Sequence, residues 1–203
     1  PRARSAARRW SLLPQIAAVT AGVAIVAFTV WNSGTTPSLA NSSVTYDTRR
    51  GEYADIRLPD GTRIRLAPES HIAWTSGDTA SRAVELQGQA HFTVVHDPRR
   101  TFTVRAGGVV TTVLGTAFDV RAYPEDASVR VAVNEGKVAS TGVRPSTQWP
   151  LTLTAGMTAE LTDSVVVMTA TESSDAIAAW TSGKLVFTDT PVTDVLRTAG
   201  RWY

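Results

Sequence analysis

The chain has 203 residues, with 20 Lys+Arg against 18 Asp+Glu, 43% hydrophobic residues and no Cys. This excludes a disulfide-stapled scaffold, a Cys-ligated metal site, a thiol nucleophile and a disordered chain. A formal charge of only +2 beside a sequence pI near 9.3 makes the location of the positive charge the first question.

That charge lies at one end. Arg2, Arg4, Arg8 and Arg9 form a basic flank over residues 1–9, and no acidic residue precedes Asp47. With those four set aside, 16 basic residues face 18 acidic ones. Only Lys137 and Lys184 are lysines, and Arg stays ionised to very high pH, which lifts the pI by itself. Directly after the flank, Trp10–Trp31 runs for 22 residues without a charge. A helix of that length reaches about 33 Å, one hydrocarbon core. Trp10 and Trp31 bracket it where interfacial aromatics are expected, and the basic flank predicts a cytoplasmic N-terminus with residues 32–203 outside. Two alternatives are a cleaved signal peptide, for which an apolar region of ~7–15 residues is usual, and a buried core helix. Pro14 and Gln15 weaken the first turn, and Thr20, Gly22 and Thr29 dilute the apolar character. A start at Pro1 rather than Met suggests a piece of a longer protein with a cytoplasmic domain upstream.

Residues 32–50 read as a linker, small and polar through Ser43. From 51 to 172, period-2 alternation dominates. Ile56 and Leu58 precede Asp60-Gly61, and Ile64 and Leu66 follow it, a β-hairpin signal because Asp-Gly supplies positive φ cheaply. The scheme repeats in Val84–Leu86, Gln87-Gly88, Ala90–Val94, and again in Phe102–Val104, Gly107-Gly108, Val109–Val113. Val129–Val133 lead through Asn134-Glu135-Gly136 to Val138, and Leu151–Leu153 lead through Ala155-Gly156 to Ala159–Leu161. Turns about every ten residues predict a mainly β fold: an antiparallel β sandwich or a stacked-hairpin, jelly-roll-like domain. The only helix signal inside it is short, around Asp175–Trp180.

Residues 173–203 change period. Lys184–Phe187 reads as a strand. Thr190 suits an N-cap, Pro191 the first helical position and Asp194 the first turn. Val192, Val195, Leu196 and Ala199 then share one helical face. A strand and a helix with an uncovered apolar face predict the start of a truncated α+β module; the alternative is a helix folded back on the β domain.

Chemistry is hard to find. His71, His91 and His96 show no metal-ligand spacing, and His96-Asp97 followed by Pro98-Arg99-Arg100 reads as a turn. No nucleophile elbow, phosphate loop or dinucleotide fingerprint occurs. Neither a cofactor nor a metal is expected. The acids show no catalytic pair, so a hydrolase is the weakest reading. The body carries the wrong charge for a phosphate footprint, which disfavours nucleic acid. Trp74, Trp149 and Tyr123 supply aromatics that could stack on sugars, leaving a membrane-anchored binding module for carbohydrate or peptidoglycan as the alternative function.

Six phrases in order resemble the FecR family of bacterial transmembrane sigma-factor regulators: Leu58–Leu66, Val84–Phe92, Val95–Pro98, Phe102–Val104, Val113–Phe118 and Val131–Val138. The tail, Trp180–Phe187 with Thr190-Pro191, Val195-Leu196 and Arg201–Tyr203, resembles the family's C-terminal module, itself similar to the short N-terminal domain of secretins and TonB-dependent receptors. The resemblance implies an inner-membrane anti-sigma regulator, not an enzyme. A periplasmic sensor would receive its signal from the signalling domain of a TonB-dependent receptor in iron or siderophore uptake. A cytoplasmic segment absent from this sequence would act on an extracytoplasmic-function sigma factor. Candidate partner-binding residues are Leu185, Val186 and Phe187 on the expected strand edge, with Val192, Val195 and Leu196 on the helix. The resemblance also implies self-cleavage between Gly115 and Thr116; the bland reading of Leu114–Phe118 is a tight strand junction.

Overall fold

A computed structural model describes the chain over residues 42–76, 82–142, 150–162, 166–169, 178–188 and 190–203. The expected basic flank and membrane helix, Trp149, and the first half of the helix signal over Asp175–Trp180 lie outside the described residues. Among the described residues no helix is long and apolar enough to cross a membrane.

Among the described residues, thirteen strands form two sheets that share one strand. Across the first run β1 (Ser42–Asp47), β4 (His71–Ser76), the first half of β5 (Arg82–Thr93), β6 (Phe102–Ala106), β7 (Val109–Val113), β10 (Lys137–Gly142) and β11 (Leu151–Thr154). Across the second run β2 (Ala54–Arg57), β3 (Arg63–Leu66), the second half of β5, β8 (Ala117–Ala122), β9 (Val129–Glu135), β12 (Thr158–Leu161) and β13 (Val166–Thr169). Neighbours are antiparallel except β5 and β6, which run parallel. Inward-facing residues of both sheets meet in one core, where Phe92 stacks on Phe118 at 5.1 Å and meets Phe102 at 6.1 Å. The mainly β sandwich expected from the alternation is therefore the observed fold.

Several predicted turns do something else. Gln87-Gly88 is no hairpin: β5 continues through it with unbroken in–out alternation. Gly88 at φ +102° instead bends the strand out of one sheet and into the other. A Cβ there would lie 2.3 Å from Ser70 Oγ, so only glycine lets the crossing strands approach. Gly136 and Gly156 likewise carry the chain between sheets: β9 pairs with β8 and β12, and β10 with β7 and β11. The Asp60-Gly61 and Gly107-Gly108 turns are hairpins as predicted.

The C-terminal residues hold a 3-10 turn, Ala179–Ser182, and one helix, α1 (Val192–Trp202). Lys184–Phe187 forms no strand, a correction with a local cause. Gly183 at φ 79° closes the turn, and the Lys184 amide donates to Ala179 O at 3.1 Å, which commits the start of the segment to the turn. Pro191, not Thr190, is the N-cap residue of α1. The Thr190 hydroxyl turns back to donate to Thr188 O at 3.1 Å.

Candidate functional site

Two places answer to the sequence-based candidates: the C-terminal segment and the Gly115–Thr116 junction. The C-terminal segment docks on the outer face of the second sheet. Period 2 along β2, β3, β5 and β8 lines up Asp55, Arg65, His91 and Asp119 as cross-strand neighbours on that face. The 3-10 turn lies over this row. Arg65 donates from Nη1 to Thr181 O and holds Asp55 with Nε and Nη2, at 2.7 and 2.6 Å. The Trp180 indole N–H donates to Asp119 Oδ2 at 2.6 Å, and the Gln89 amide donates to Asp119 Oδ1 at 3.0 Å. Burial pushes the Asp119 carboxyl up to about 7, against the opposing pull of those two donors and of Arg130 and Arg121. Burial, aided by the Arg65 charge, pushes His91 down to about 4, so the ring is neutral at pH 7.

The other end of the segment is anchored by a charge. Arg201 is 3% exposed, lies over the Tyr123 ring at 3.8 Å and sits between Glu69, at 3.4 Å, and Glu125. Its carbonyl accepts from the Gly51 amide at 2.7 Å. Trp202 meets Trp180 edge to face at 5.9 Å. The helix thus does fold back on the β domain, through its last turn.

The predicted partner-binding residues occupy the opposite situation. Val192 and Leu196 are 71% and 67% exposed, Val186 and Phe187 are exposed, and Leu185 and Val195 are half-buried. Sequence periodicity located this apolar stripe and missed which side docks. The anchor is Arg201, charged and therefore assigned to solvent by pattern alone. A Trp-and-Arg pair bracketing the segment is the only signal that could have pointed to it.

Gly115 and Thr116 lie where the chain passes from β7 in the first sheet to β8 in the second. A Cβ on Gly115 would come within 2.5 Å of His96 Cα. The Asp97 amide donates to Leu114 O at 2.8 Å, and the Val94 amide donates to Thr116 O at 3.0 Å. The bond between them is therefore held on both sides by the segment following β5. Thr116 is buried, and its hydroxyl donates to Lys137 O at 2.8 Å. Gly136 closes the other side, where a Cβ would lie 3.0 Å from Thr116 Oγ1.

The remaining sequence candidates make contacts within the β domain. His71 Nδ1 is 2.7 Å from Asp47 Oδ1. Trp74 stacks on Tyr46 at 5.5 Å. Tyr123 is buried, with its hydroxyl donating to Pro68 O at 2.8 Å, so its ring faces Arg201 rather than a ligand. Among the described residues no group of His, Asp and Glu is arranged to hold a metal.

Comparison with known proteins agrees with this architecture. A family model described as FecR protein matches residues 44–139, which run from β1 into β10. Two crystal structures of a candidate anti-sigma factor from Parabacteroides distasonis ATCC 8503, at 2.50 and 1.65 Å resolution, are similar to the chain. One superposes with a TM-score of 0.73 at 28% identity, covering 80% of this chain and 75% of that one. The other gives 0.72 at 28% identity, covering 79% and 74%. No curated protein matches. With two sheets sharing a bent strand, residues 44–139, across the first ten strands, match the FecR pattern, and the structural likeness to a candidate anti-sigma factor continues beyond them.

Proposed function

We propose that this chain regulates a sigma factor from the membrane. Its β domain would act as the periplasmic sensor, and Trp10–Trp31 would connect it to a cytoplasmic segment that contacts an extracytoplasmic-function sigma factor. The observation that carries this reading is the similarity to a candidate anti-sigma factor over 80% of the chain, more than the residues 44–139 that the family model matches. The input would come from the signalling domain of a TonB-dependent outer-membrane receptor, in iron or siderophore uptake. The receptor would meet the exposed stripe of Val186, Phe187, Val192 and Leu196. A protein that keeps four large apolar side chains in water on one short segment has a use for them as a contact.

This assignment makes a direct prediction. Val192→Glu and Leu196→Glu change side chains that touch little, so folding stability should move by no more than about 0.5 kcal/mol. Binding to the receptor's signalling domain, read by calorimetry or co-purification, should fall at least tenfold. Unchanged binding in the double variant would move the contact to the β domain.

We further propose that the Gly115–Thr116 bond is cut by the chain itself. Thr116 Oγ would attack the Gly115 carbonyl carbon. The C–N bond breaks, the hydroxyl proton passes to the departing amine, and water hydrolyses the resulting ester to a Gly115 carboxylate and a free Thr116 N-terminus. Lys137 O, already 2.8 Å from the hydroxyl, supports its polarisation, and Gly115 is held against His96 where no side chain fits. Intact mass spectrometry of the purified chain should show two fragments meeting at this bond. Thr116→Ala should leave one species, and a single full-length species in the unaltered protein would rule the cleavage out.

A further inference from the structure

Beside the docked 3-10 turn, the outer face of the second sheet opens into a cleft of about 340 Å³ lined by Asp55, Arg57, Arg63, Arg65, His91 and Thr93. Three guanidinium groups line it against one carboxylate, and that carboxylate is committed, because Asp55 accepts both arms of the Arg65 fork. Arg57 and Arg63 stand directly opposite each other in the β2–β3 register, and Thr93, not an acid, is the next neighbour of Arg63. Among the described residues neither of these two guanidinium groups has a hydrogen bond or an ion pair. Like charges facing each other across an antiparallel pair disfavour the pairing, and nothing in the sheet offsets the cost. The third feature is His91. Its Nδ1 is buried and has no hydrogen-bond partner, a condition that is uncommon in folded proteins.

These features have a common remedy. Two guanidinium forks can each donate a pair of parallel hydrogen bonds to the oxygens of a carboxylate or phosphate. A neutral imidazole can add one N–H, and a protonated one can add a second positive partner. We propose that this cleft binds a small oxyanion, a carboxylate or phosphate, held between Arg57 and Arg63 with His91 as its third contact. The volume is at the small end of ligand sites, suited to a compact anion rather than to a folded partner. Because Arg65 also donates to Thr181 O, an anion seated here lies beside the docked C-terminal segment. The site stands apart from the sigma-factor reading and can hold or fail without it.

The test is an imidazole NMR titration of the full chain with sodium phosphate, with sodium succinate and, at matched ionic strength, with sodium chloride. Phosphate or succinate should shift the His91 resonance along a saturable curve and raise its pKa from about 4. His71, paired with Asp47 away from the cleft, should respond no more than it does to chloride. Arg57→Ala and Arg63→Ala alter exposed residues and relieve the like-charge pair, so neither should lower the melting temperature, and each should weaken binding about tenfold. A His91 response that chloride reproduces, no response, or full binding by the double variant would overturn the proposal.

Discussion

Arg82→Met is expected to destabilise the domain by about 3–5 kcal/mol, measured by urea unfolding. The Arg82 side chain is 5% exposed and holds Asp60 Oδ2 at 2.7 Å. Its other nitrogens donate to Arg100 O at 3.0 Å and Val95 O at 2.9 Å, and its guanidinium lies 5.5 Å from the Phe102 ring centroid. Met keeps the length of the stem over that ring but removes the only charge that pairs with the half-buried Asp60 carboxylate among the described residues, leaving it the Thr62 donors, and takes a donor from two carbonyls. Burial raises the Asp60 pKa, yet hydrogen bonds from the Thr62 amide, the Thr62 hydroxyl and Arg82 outweigh it and hold the carboxyl below its ordinary value of 3.8. A depressed pKa adds stability above the unfolded value that disappears as pH falls through the folded one. The stability gap between wild type and Arg82→Met should therefore narrow below pH 4. Pairing Arg82→Met with Asp60→Asn should restore part of the loss. If the single variant unfolds at the wild-type midpoint, the cluster is not what holds β5 to the β2–β3 turn.

Gly88→Ala should cost about 3 kcal/mol or more, from two causes. Ala is strained at φ +102°, and its Cβ would overlap Ser70, with Ser70 Cα only 2.7 Å away. Ser70 cannot step aside, because its Oγ accepts from the Gln89 amide at 2.9 Å and its own amide donates to Thr48 Oγ1 at 3.0 Å. A domain of this size should lose roughly 6–12 °C in melting temperature, read by circular dichroism. Gly108→Ala is the control: its φ is also positive, at +80°, but nothing lies within 4 Å of the added carbon, so only the backbone term remains.

The two glycines explain what pattern reading recovers and what it loses. Alternation in Val84, Leu86, Ala90 and Phe92 locates β5 and its buried face, because the period of two survives the bend. It cannot reveal the bend, since Gly88 in a hairpin and Gly88 in a sheet crossing look alike in sequence. The difference lies in Ser70, eighteen residues away. Gly136 and Gly156 are misread for the same reason. At the C-terminus, spacing finds α1 and its exposed Val192 and Leu196. The burial of Arg201 depends on Tyr123, Glu69 and Glu125, which come from distant turns. The charged cleft is likewise invisible until register sets Arg57 opposite Arg63.

The placement of Gly115 in the topology bears on fragment complementation. A break there divides the chain into a piece ending with β7 and a piece beginning with β8, but these pieces do not correspond to the two sheets. β8 pairs along six residues with β5, and β10 pairs along four with β7, so each sheet is woven from both pieces. Phe92 and Phe102 come from the first and Phe118 from the second. Two ladders and a shared aromatic core would thus keep a cleaved molecule in one piece, able to transmit a pull from either end until the strands themselves part.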